Sequence, residues 1–177
     1  MANPYYSAYE AEIFDLAKNR TDKLFYNSSA EHASIVHKAL AMYAQKEICI
    51  FSSSMCSEVS NNEEYCALIK KFLLKSENNK IRIILTDYND NFCCQQIYQV
   101  LKYHPSQVCI KAYNGGVKYN DKEAHFTVVD DSAFRLETDI EKRMAFGNFN
   151  DQTKAVALKE VFDQIFNSEN AKTVKVA

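Results

Sequence analysis

The order of hydrophobic patterns along the chain predicts an α/β fold, a mixed β-sheet flanked by helices on both faces. Helix-like and strand-like segments alternate through the first two thirds of the 177 residues. The strand-like segment "KIRIILTD" (80–87) is almost continuously apolar, as expected where both faces of a sheet are covered. Short strand-like segments then follow one another closely before a last helix, which predicts late antiparallel strands.

The first elements form a short N-terminal unit. "AYEAEIFDLAK" (8–18) carries Tyr9, Ile13 and Leu16 at helical spacing, and a short strand is expected within 22–27. We therefore divide the chain into an N-terminal helix and strand (1–27), an α/β domain (28–167) and a flexible tail (168–177).

The α/β domain begins with a capping signal, because Ser28 and Glu31 have the S-x-x-E spacing of a helix start. Apolar periodicity and β-branched runs then predict a regular series of elements. These are a helix over 28–47, a strand over 48–53, a helix over 61–79, a strand over 80–87, a helix over 89–104 and a strand over 107–113.

A glycine-containing loop separates this series from the last strands. "NGGVKYNDK" (114–122) lacks the spacing of a phosphate-binding loop, so we interpret it as a flexible turn. Three strands should follow, over 124–130, 132–137 and 142–148. The final helix, 151–166, should be capped by Asn150 or Asp151.

Composition narrows the classes of function. A net charge of -2 and a pI near 6.1 argue against a generally basic nucleic-acid-binding surface. No apolar run reaches the roughly 18 residues that span a bilayer, and the N-terminus lacks a secretory pattern. We therefore expect a cytoplasmic chain with reduced cysteines. The six cysteines form no C-x-x-C pair, so no metal or cofactor is expected.

Polar side chains collect on one face of the three late strands. Side chains alternate along a strand, so neighbouring strands would share one apolar face and one polar face. The polar face would carry His125, Thr127, Arg135, Glu137 and Arg143, with Asn148 and Asn150 just beyond the last strand. An imidazole, two guanidiniums and two amides together suit anion binding and acid/base chemistry.

The alternative is an ordinary solvent-exposed face. Antiparallel sheets often leave one face wet, and a Glu137–Arg143 contact would then be a routine cross-strand ion pair. His32 and His37 lie five residues apart, which does not place them on one helix face, so we assign them surface or helix-packing roles.

These residues resemble the phospholipase D-like superfamily, whose active members carry H-x-K-x4-D followed by G-[ST]-x-N. His125 stands at the family histidine, and Gly147, Asn148 and Asn150 match G-x-x-N. The resemblance covers roughly residues 28–166. It implies a histidine that attacks phosphorus, a lysine that neutralises phosphoryl oxygens and an aspartate that orients a histidine, with a second motif supplied within the chain or across a dimer.

The chain departs from that pattern at three positions. Thr127 stands where the lysine is expected, and the seventh position after His125 is Ser132, with Asp130 and Asp131 just before it. Asn148 replaces the small hydroxyl residue. The resemblance therefore implies a degenerate member, with His125 as the candidate catalytic residue and Asp131 as a remaining acidic site residue.

Three functions follow as hypotheses. The first is a non-catalytic module, a homodimer that binds a phosphate-bearing ligand (nucleic acid or nucleotide) or a protein partner, as an accessory subunit of a bacterial nucleic-acid-related or defence system. The second is a metal-independent phosphodiesterase or nuclease that uses His125 across a homodimer. The third is a purely structural subunit that binds its partner through the N-terminal helix.

Overall fold

The fold is built around one nine-stranded mixed β-sheet with helices on both faces, as the sequence predicts. The computed structural model describes residues 4–55 and 57–175, with side chains from Ala8 onward. The helices are α1 Pro4–Asn19, α2 Ala30–Tyr43, α3 Glu63–Lys75, α4 Gln96–Leu101 and α5 Gln152–Phe166. The strands are β1 Phe25–Asn27, β2 Glu47–Ser52, β3 Lys80–Leu85, β4 Val108–Tyr113, β5 Val117–Tyr119, β6 Lys122–Val129, β7 Ala133–Asp139, β8 Met144–Asn148 and β9 Ala171–Thr173.

The strand order is β1-β8-β7-β6-β2-β3-β4-β9, with β5 paired to β6. β2, β3 and β4 are parallel and form the centre, and β6, β7 and β8 continue the sheet as an antiparallel meander. The predicted late antiparallel portion before the C-terminal helix is therefore confirmed.

The helices lie on both faces of the sheet, and each face has its own apolar core. On one face, α1 to α4 pack over the sheet through residues such as Val36, Ile69 and Ile83. On the other, α5 packs over β2, β6 and β7 through Phe162 and Phe126. Because side chains alternate along each strand, His125 and Thr127 of β6 point to the α1–α4 face, whereas Phe126 and Val128 join the α5 core.

Helix α1 is part of the first core. Its residues Ile13, Leu16 and Ala17 are buried, and α1 lies against α2. The apolar stripe that the sequence offers as an interaction surface is therefore used inside the fold.

Asparagine, serine and aspartate side chains set the ends of the helices. Asn62 accepts a hydrogen bond from the Tyr65 N–H, and Asp151 accepts one from Lys154 N–H, as predicted for the last helix. For α2 the cap is Ser29, one residue later than the capping-box pattern suggests.

Asp130 and Asp131 form the turn between β6 and β7. Both have positive φ, 52° and 62°, a conformation that aspartate tolerates better than most residues. The Asp130 carboxylate accepts hydrogen bonds from the N–H groups of residues 45–47 at 2.6 to 2.9 Å. This aspartate thus holds in place the backbone that leads into β2.

Three local predictions are wrong. The loop over 114–122 contains strand β5, since Asn120 and Asp121 adopt positive φ and close a hairpin onto β6. The predicted helix over 89–104 divides into a short 3₁₀ helix, Asp90–Cys94, and α4. The tail, predicted to be flexible, contains β9, which pairs with β4 because the buried Ala171 and the Val174 N–H anchor it there.

Within the described part of the chain, no helix combines the length and apolar character needed to cross a membrane.

Candidate functional site

A small pocket lies where β2 ends and β6 begins, beneath α2. The space inside it that water can occupy is about 40 Å³, enough for a few water molecules or one compact anion. Nine polar side chains line it: the serines Ser52, Ser57 and Ser60, and a cluster made of His37, His125, Thr127, Arg135, Glu137 and Arg143. Apolar side chains of β2 and the segments 52–55 and 57–60 close the rest.

The strand register brings the polar side chains together. His125 lies directly opposite Glu137, and Thr127 lies directly opposite Arg135. The predicted face is thus formed, but it is not a wet face. Thr127, Arg135 and Glu137 are each only 3 to 4% exposed because α1 and α2 cover this part of the sheet.

Glu137 is the centre of the pocket's ionic contacts. One carboxylate oxygen, Oε2, lies 3.3 Å from His125 Nδ1, and the other accepts a 3.0 Å hydrogen bond from Arg135 Nη2. Arg143 Nη1 lies 3.8 Å from the same carboxylate. The Arg143 side chain remains about one third exposed, so it stands at the mouth of the pocket.

These contacts decide the charge of the carboxylate. Burial alone would raise the pKa of Glu137, but the hydrogen bonds from His125 and Arg135 and the charges of both arginines outweigh it and lower the pKa to about 2. Burial also lowers the pKa of Arg135, although Glu137 opposes that effect. Two guanidinium cations and one carboxylate leave a net positive charge in the pocket.

The contact with Glu137 orients the His125 ring. An imidazole whose Nδ1–H is bound to a carboxylate presents its Nε2 lone pair to the opposite side. The resemblance expects an aspartate seven residues after His125, where Ser132 stands just after Asp130 and Asp131. The carboxylate that contacts His125 is instead Glu137. Sequence reasoning took Glu137 as a ligand-binding residue and could not see this contact, because the two residues are 12 apart and meet only through the β6–β7 register.

His37 is a pocket residue that sequence reasoning assigned to surface or helix packing. It projects from α2 between the buried residues Val36 and Leu40 and packs edge-on against the Tyr65 ring, 5.8 Å between centroids. Burial, followed by the charge of Arg135, lowers its pKa to about 3, so its ring is neutral near pH 7. Its place beside the apolar stripe of α2 was the available signal.

Asn27 is a second residue that the sequence did not reveal. It is buried on the edge strand β1, where its side-chain oxygen accepts a 3.0 Å hydrogen bond from Arg135 Nε. Its amide group donates to the Arg143 carbonyl at 2.7 Å, and Arg143 has a positive φ of 54°. Asn27 therefore holds both arginines. No sequence motif marks it.

Gly147 allows β1 to take this position. A Cβ atom there would lie 2.4 Å from the Phe25 ring and 2.2 Å from the Phe134 carbonyl oxygen, which no side chain could tolerate. The glycine that matches G-x-x-N thus serves the packing of β1 against β8.

Three predicted site residues lie away from the pocket. Asp131 pairs with Lys159 of α5, and the Asn148 side chain accepts from the Asn150 N–H and donates to Asp22 at 2.7 Å. They sit at the opposite ends of β6 and β8 from His125, because Asn148 is in register with Phe134 rather than with Glu137. Neither of the two asparagines is among the residues that line the pocket.

The arrangement suits a small anion. Arg143 offers donors at the mouth, His125 presents a ring nitrogen, and the Thr127 hydroxyl borders the same space. Among residues 4–55 and 57–175, no group of three or more metal-ligating side chains is present.

Comparison with solved structures identifies the class of fold. An archaeal chromatin protein, TrmBL2, described as showing a novel mode of DNA binding, superposes with a TM-score of 0.64 at 16% identity over 97% of this chain and 64% of that protein. NucT from Helicobacter pylori (TM-score 0.57, 16% identity, 87% of this chain and 99% of that chain) is similar as well. Nuc from Salmonella typhimurium, a phospholipase D family member, is similar too, with a TM-score of 0.57 at 12% identity over 88% of this chain and 98% of that chain. The fold is that of phospholipase D-like proteins.

The sequence itself places the chain in a particular family. Residues 29–174 match the family described as Domain of unknown function (DUF7931), and the chain belongs to it. A comparison with curated proteins gives no significant match. Asn27, which holds both pocket arginines, lies just outside the matched residues.

Proposed function

We propose that this chain is a non-catalytic phospholipase D-like module that binds a phosphate-bearing ligand in the His125 pocket. The observation that carries the proposal is the convergence of two guanidiniums and an imidazole on one small pocket, with Arg143 partly exposed at its mouth. Arginine binds phosphate oxygens through paired N–H donors, and a low-dielectric pocket strengthens such contacts.

We propose that the pocket does not catalyse phosphoryl transfer, because it offers too few cations that are available to a phosphate. Thr127 carries no charge, whereas a phosphoryl transition state concentrates negative charge on its equatorial oxygens. Arg135 is already committed to Asn27 and Glu137. Arg143 approaches Glu137 no closer than 3.8 Å, so its donors are the less committed of the two guanidiniums. One such cation at the mouth supports binding better than turnover.

The nature of the ligand is proposed from the similar structures. A DNA-binding chromatin protein and two proteins named Nuc and NucT share the fold, which favours a nucleotide or nucleic acid as the source of the phosphate. We further propose a homodimer that works in the cytoplasm as an accessory subunit of a nucleic-acid-related system, with residues 4–27 as an integral part of the domain over 28–167.

Calorimetric titration with inorganic phosphate tests the proposal. We expect saturable binding that Arg143→Ala weakens by about tenfold or more, because a charged donor to the anion is lost. His125→Ala should also weaken it, because that variant removes a polar side chain of the pocket and leaves Glu137 without its imidazole contact. Lys142→Ala is the matched control, because Lys142 is an exposed cation next to Arg143 that does not line this pocket, and the variant should bind as the wild type does. Equal binding by all four proteins would refute a site at this pocket.

A phosphodiesterase is the second candidate, and the His125–Glu137 contact favours it. A carboxylate that fixes Nδ1 leaves Nε2 available as a nucleophile, which is how an attacking histidine has to be presented. A metal-free nuclease assay on single- and double-stranded DNA and RNA separates the candidates. Cleavage that disappears in His125→Ala would replace the binding function with the enzymatic one.

A further inference from the structure

The pocket contains an acceptor as well as cations. Glu137 lines the same space as His125 and Arg143, and its side chain is only 4% exposed. An ionised carboxylate can accept hydrogen bonds but cannot donate one. Any anion that enters the pocket therefore meets two arginines and a fixed negative charge.

This combination discriminates between anions. An anion that carries its own O–H can donate a hydrogen bond to Glu137 and still accept from Arg143. An anion without a proton of that kind cannot donate to Glu137 and meets only the repulsion between its own charge and that of the carboxylate.

We infer that Glu137 makes the pocket selective for a phosphate group that carries a proton, that is, inorganic phosphate or the end group of a phosphomonoester, over a phosphodiester or a sulfate. The inference rests on the proposed phosphate binding and narrows it. A diester in a nucleic-acid backbone has no P–O–H, so the ligand class becomes a terminal phosphate such as that of a nucleotide.

The surrounding groups keep Glu137 in its acceptor state. His125 from β6, Arg135 from β7 and Arg143 from the β7–β8 turn all contact it. They hold its pKa to about 2 against the effect of burial, so it is ionised in any ordinary buffer. From α2, His37 faces the same space as a neutral ring. These groups add no second carboxylate.

The size of the pocket supports the same ligand. The occupiable space is about 40 Å³, a single small compartment that suits one compact group better than a polymer passing through it. The mouth beside Arg143 would hold the ester substituent.

The effect of the ligand's proton can be measured with two small probes that differ in little else. At about pH 5 methyl phosphate and methyl sulfate have nearly the same shape and the same single negative charge, but only methyl phosphate retains an O–H, because the second pKa of a phosphate ester is about 6. We expect the wild-type protein to bind methyl phosphate at least about tenfold more tightly than methyl sulfate, the cost of one hydrogen bond to a charged group.

The variant Glu137→Gln should remove the discrimination. Its amide can donate to either probe, so methyl sulfate should gain affinity until the two differ by no more than about threefold. Glu141→Gln is the control, since Glu141 is an exposed carboxylate in the neighbouring turn, and it should retain the wild-type ratio.

A pH series on the wild type decides the question if Glu137→Gln does not fold. Methyl phosphate should bind more weakly as the pH rises through about 6, although its negative charge increases, because it loses the donated proton. Methyl sulfate does not titrate there, so a change in its binding over the same pH range measures changes in the protein alone. Stronger binding of the methyl phosphate dianion would overturn the inference.

The remaining outcomes separate the two claims. Equal wild-type affinities for the two probes would overturn the selectivity and leave phosphate binding in place. Binding of neither probe, together with no binding of inorganic phosphate, would overturn the proposed function itself.

Discussion

Two clusters of charged side chains lie on opposite faces of the sheet, and they are built differently. The pocket cluster consists of His125, Arg135, Glu137 and Arg143 under α1 and α2. The α5 cluster lies at the other end of the strands and consists of Glu47, Arg82, Asp131, Lys159 and Asp163.

The α5 cluster is saturated. Arg82 bonds Glu47 at 2.7 Å and Asp163 at 2.6 Å, and its guanidinium also lies over the Phe162 ring at 5.1 Å. Lys159 joins Glu47 to Asp131. Every charge there has an opposite partner and partial contact with solvent. Such a network contributes to stability and leaves nothing for a ligand.

The pocket cluster is more deeply buried and carries an excess of positive charge. Glu137 has two arginine neighbours, but Arg143 approaches no closer than 3.8 Å. A small empty space adjoins these groups, whereas the α5 cluster packs against aromatic rings. The two clusters therefore differ in charge pairing and in the space beside them. The pocket cluster, which we propose binds phosphate, is incompletely paired and adjoins a small cavity, whereas the α5 cluster is fully paired.

The largest effect should come from removing the buried carboxylate. Glu137→Ala leaves Arg135 buried without its counter-ion, and we expect the free energy of unfolding to fall by about 3–5 kcal/mol. Urea denaturation measures it. Glu47→Ala is the counterpart in the α5 cluster and should cost about 1 kcal/mol, because Arg82 and Lys159 keep other partners and solvent. Similar losses in the two variants would contradict the contrast in burial.

As the pH is lowered, the first loss of stability should come from His37, which lies beside the pocket cluster. The pKa of His37 is lowered to about 3 in the folded protein, so from pH 6.5 downwards the unfolded state takes up a proton that the folded state does not. Stability should therefore fall by about 2–3 kcal/mol between pH 6.5 and 4.5, at up to about 1.4 kcal/mol per pH unit.

His37→Gln should flatten that part of the profile in chemical denaturation. The depressed pKa values of Glu137 and Glu47 act at lower pH, since a carboxylate with a lowered folded pKa loses its contribution only as the pH falls below about 4.5. An unchanged slope above pH 4.5 in His37→Gln would show that another group is responsible.

Asn27 should matter more than its position on a three-residue edge strand suggests. Asn27→Ala breaks its bonds to Arg135 and to the Arg143 carbonyl, and we expect a loss of about 2 kcal/mol together with weaker phosphate binding. The control is Asn19→Ala, whose exposed bond to Asp15 should be worth less than about 0.5 kcal/mol. Full phosphate affinity in Asn27→Ala would remove Asn27 from the site.

Among the charged side chains, Lys159 should have the smallest effect. Lys159→Ala removes one cation from the α5 cluster, and we expect a loss of about 0.5–1 kcal/mol in thermal denaturation. Phosphate binding should be unchanged. A weaker affinity would mean that the two clusters are coupled through the sheet.

The sequence predicted the fold because its signals are local. Apolar runs and helical spacing mark β2, β3, α3 and α5, and strand alternation correctly placed His125, Thr127, Arg135 and Glu137 on one face. The burial of that face was not predictable, since it depends on α1 and α2 crossing over strands that come a hundred residues later.

The missed site residues share a cause. Asn27 reaches Arg135 across 108 positions, and His37 reaches the pocket through the packing of a helix on the sheet. The wrong placements have a local cause instead. Asp131 was weighed as a motif residue, but two consecutive aspartates at positive φ are a turn, and the turn carries Asp131 away from His125 to Lys159.

Imidazole nitrogen signals followed by NMR during a phosphate titration test the central claim most directly. Phosphate in the pocket should shift the signals of His125 and His37 along one saturation curve and leave that of His104, on the loop before β4, unchanged. Arg143→Ala should displace that curve to higher phosphate concentration. Signals of His125 and His37 that do not move, or that move only as much as that of His104, would contradict a phosphate site at this pocket.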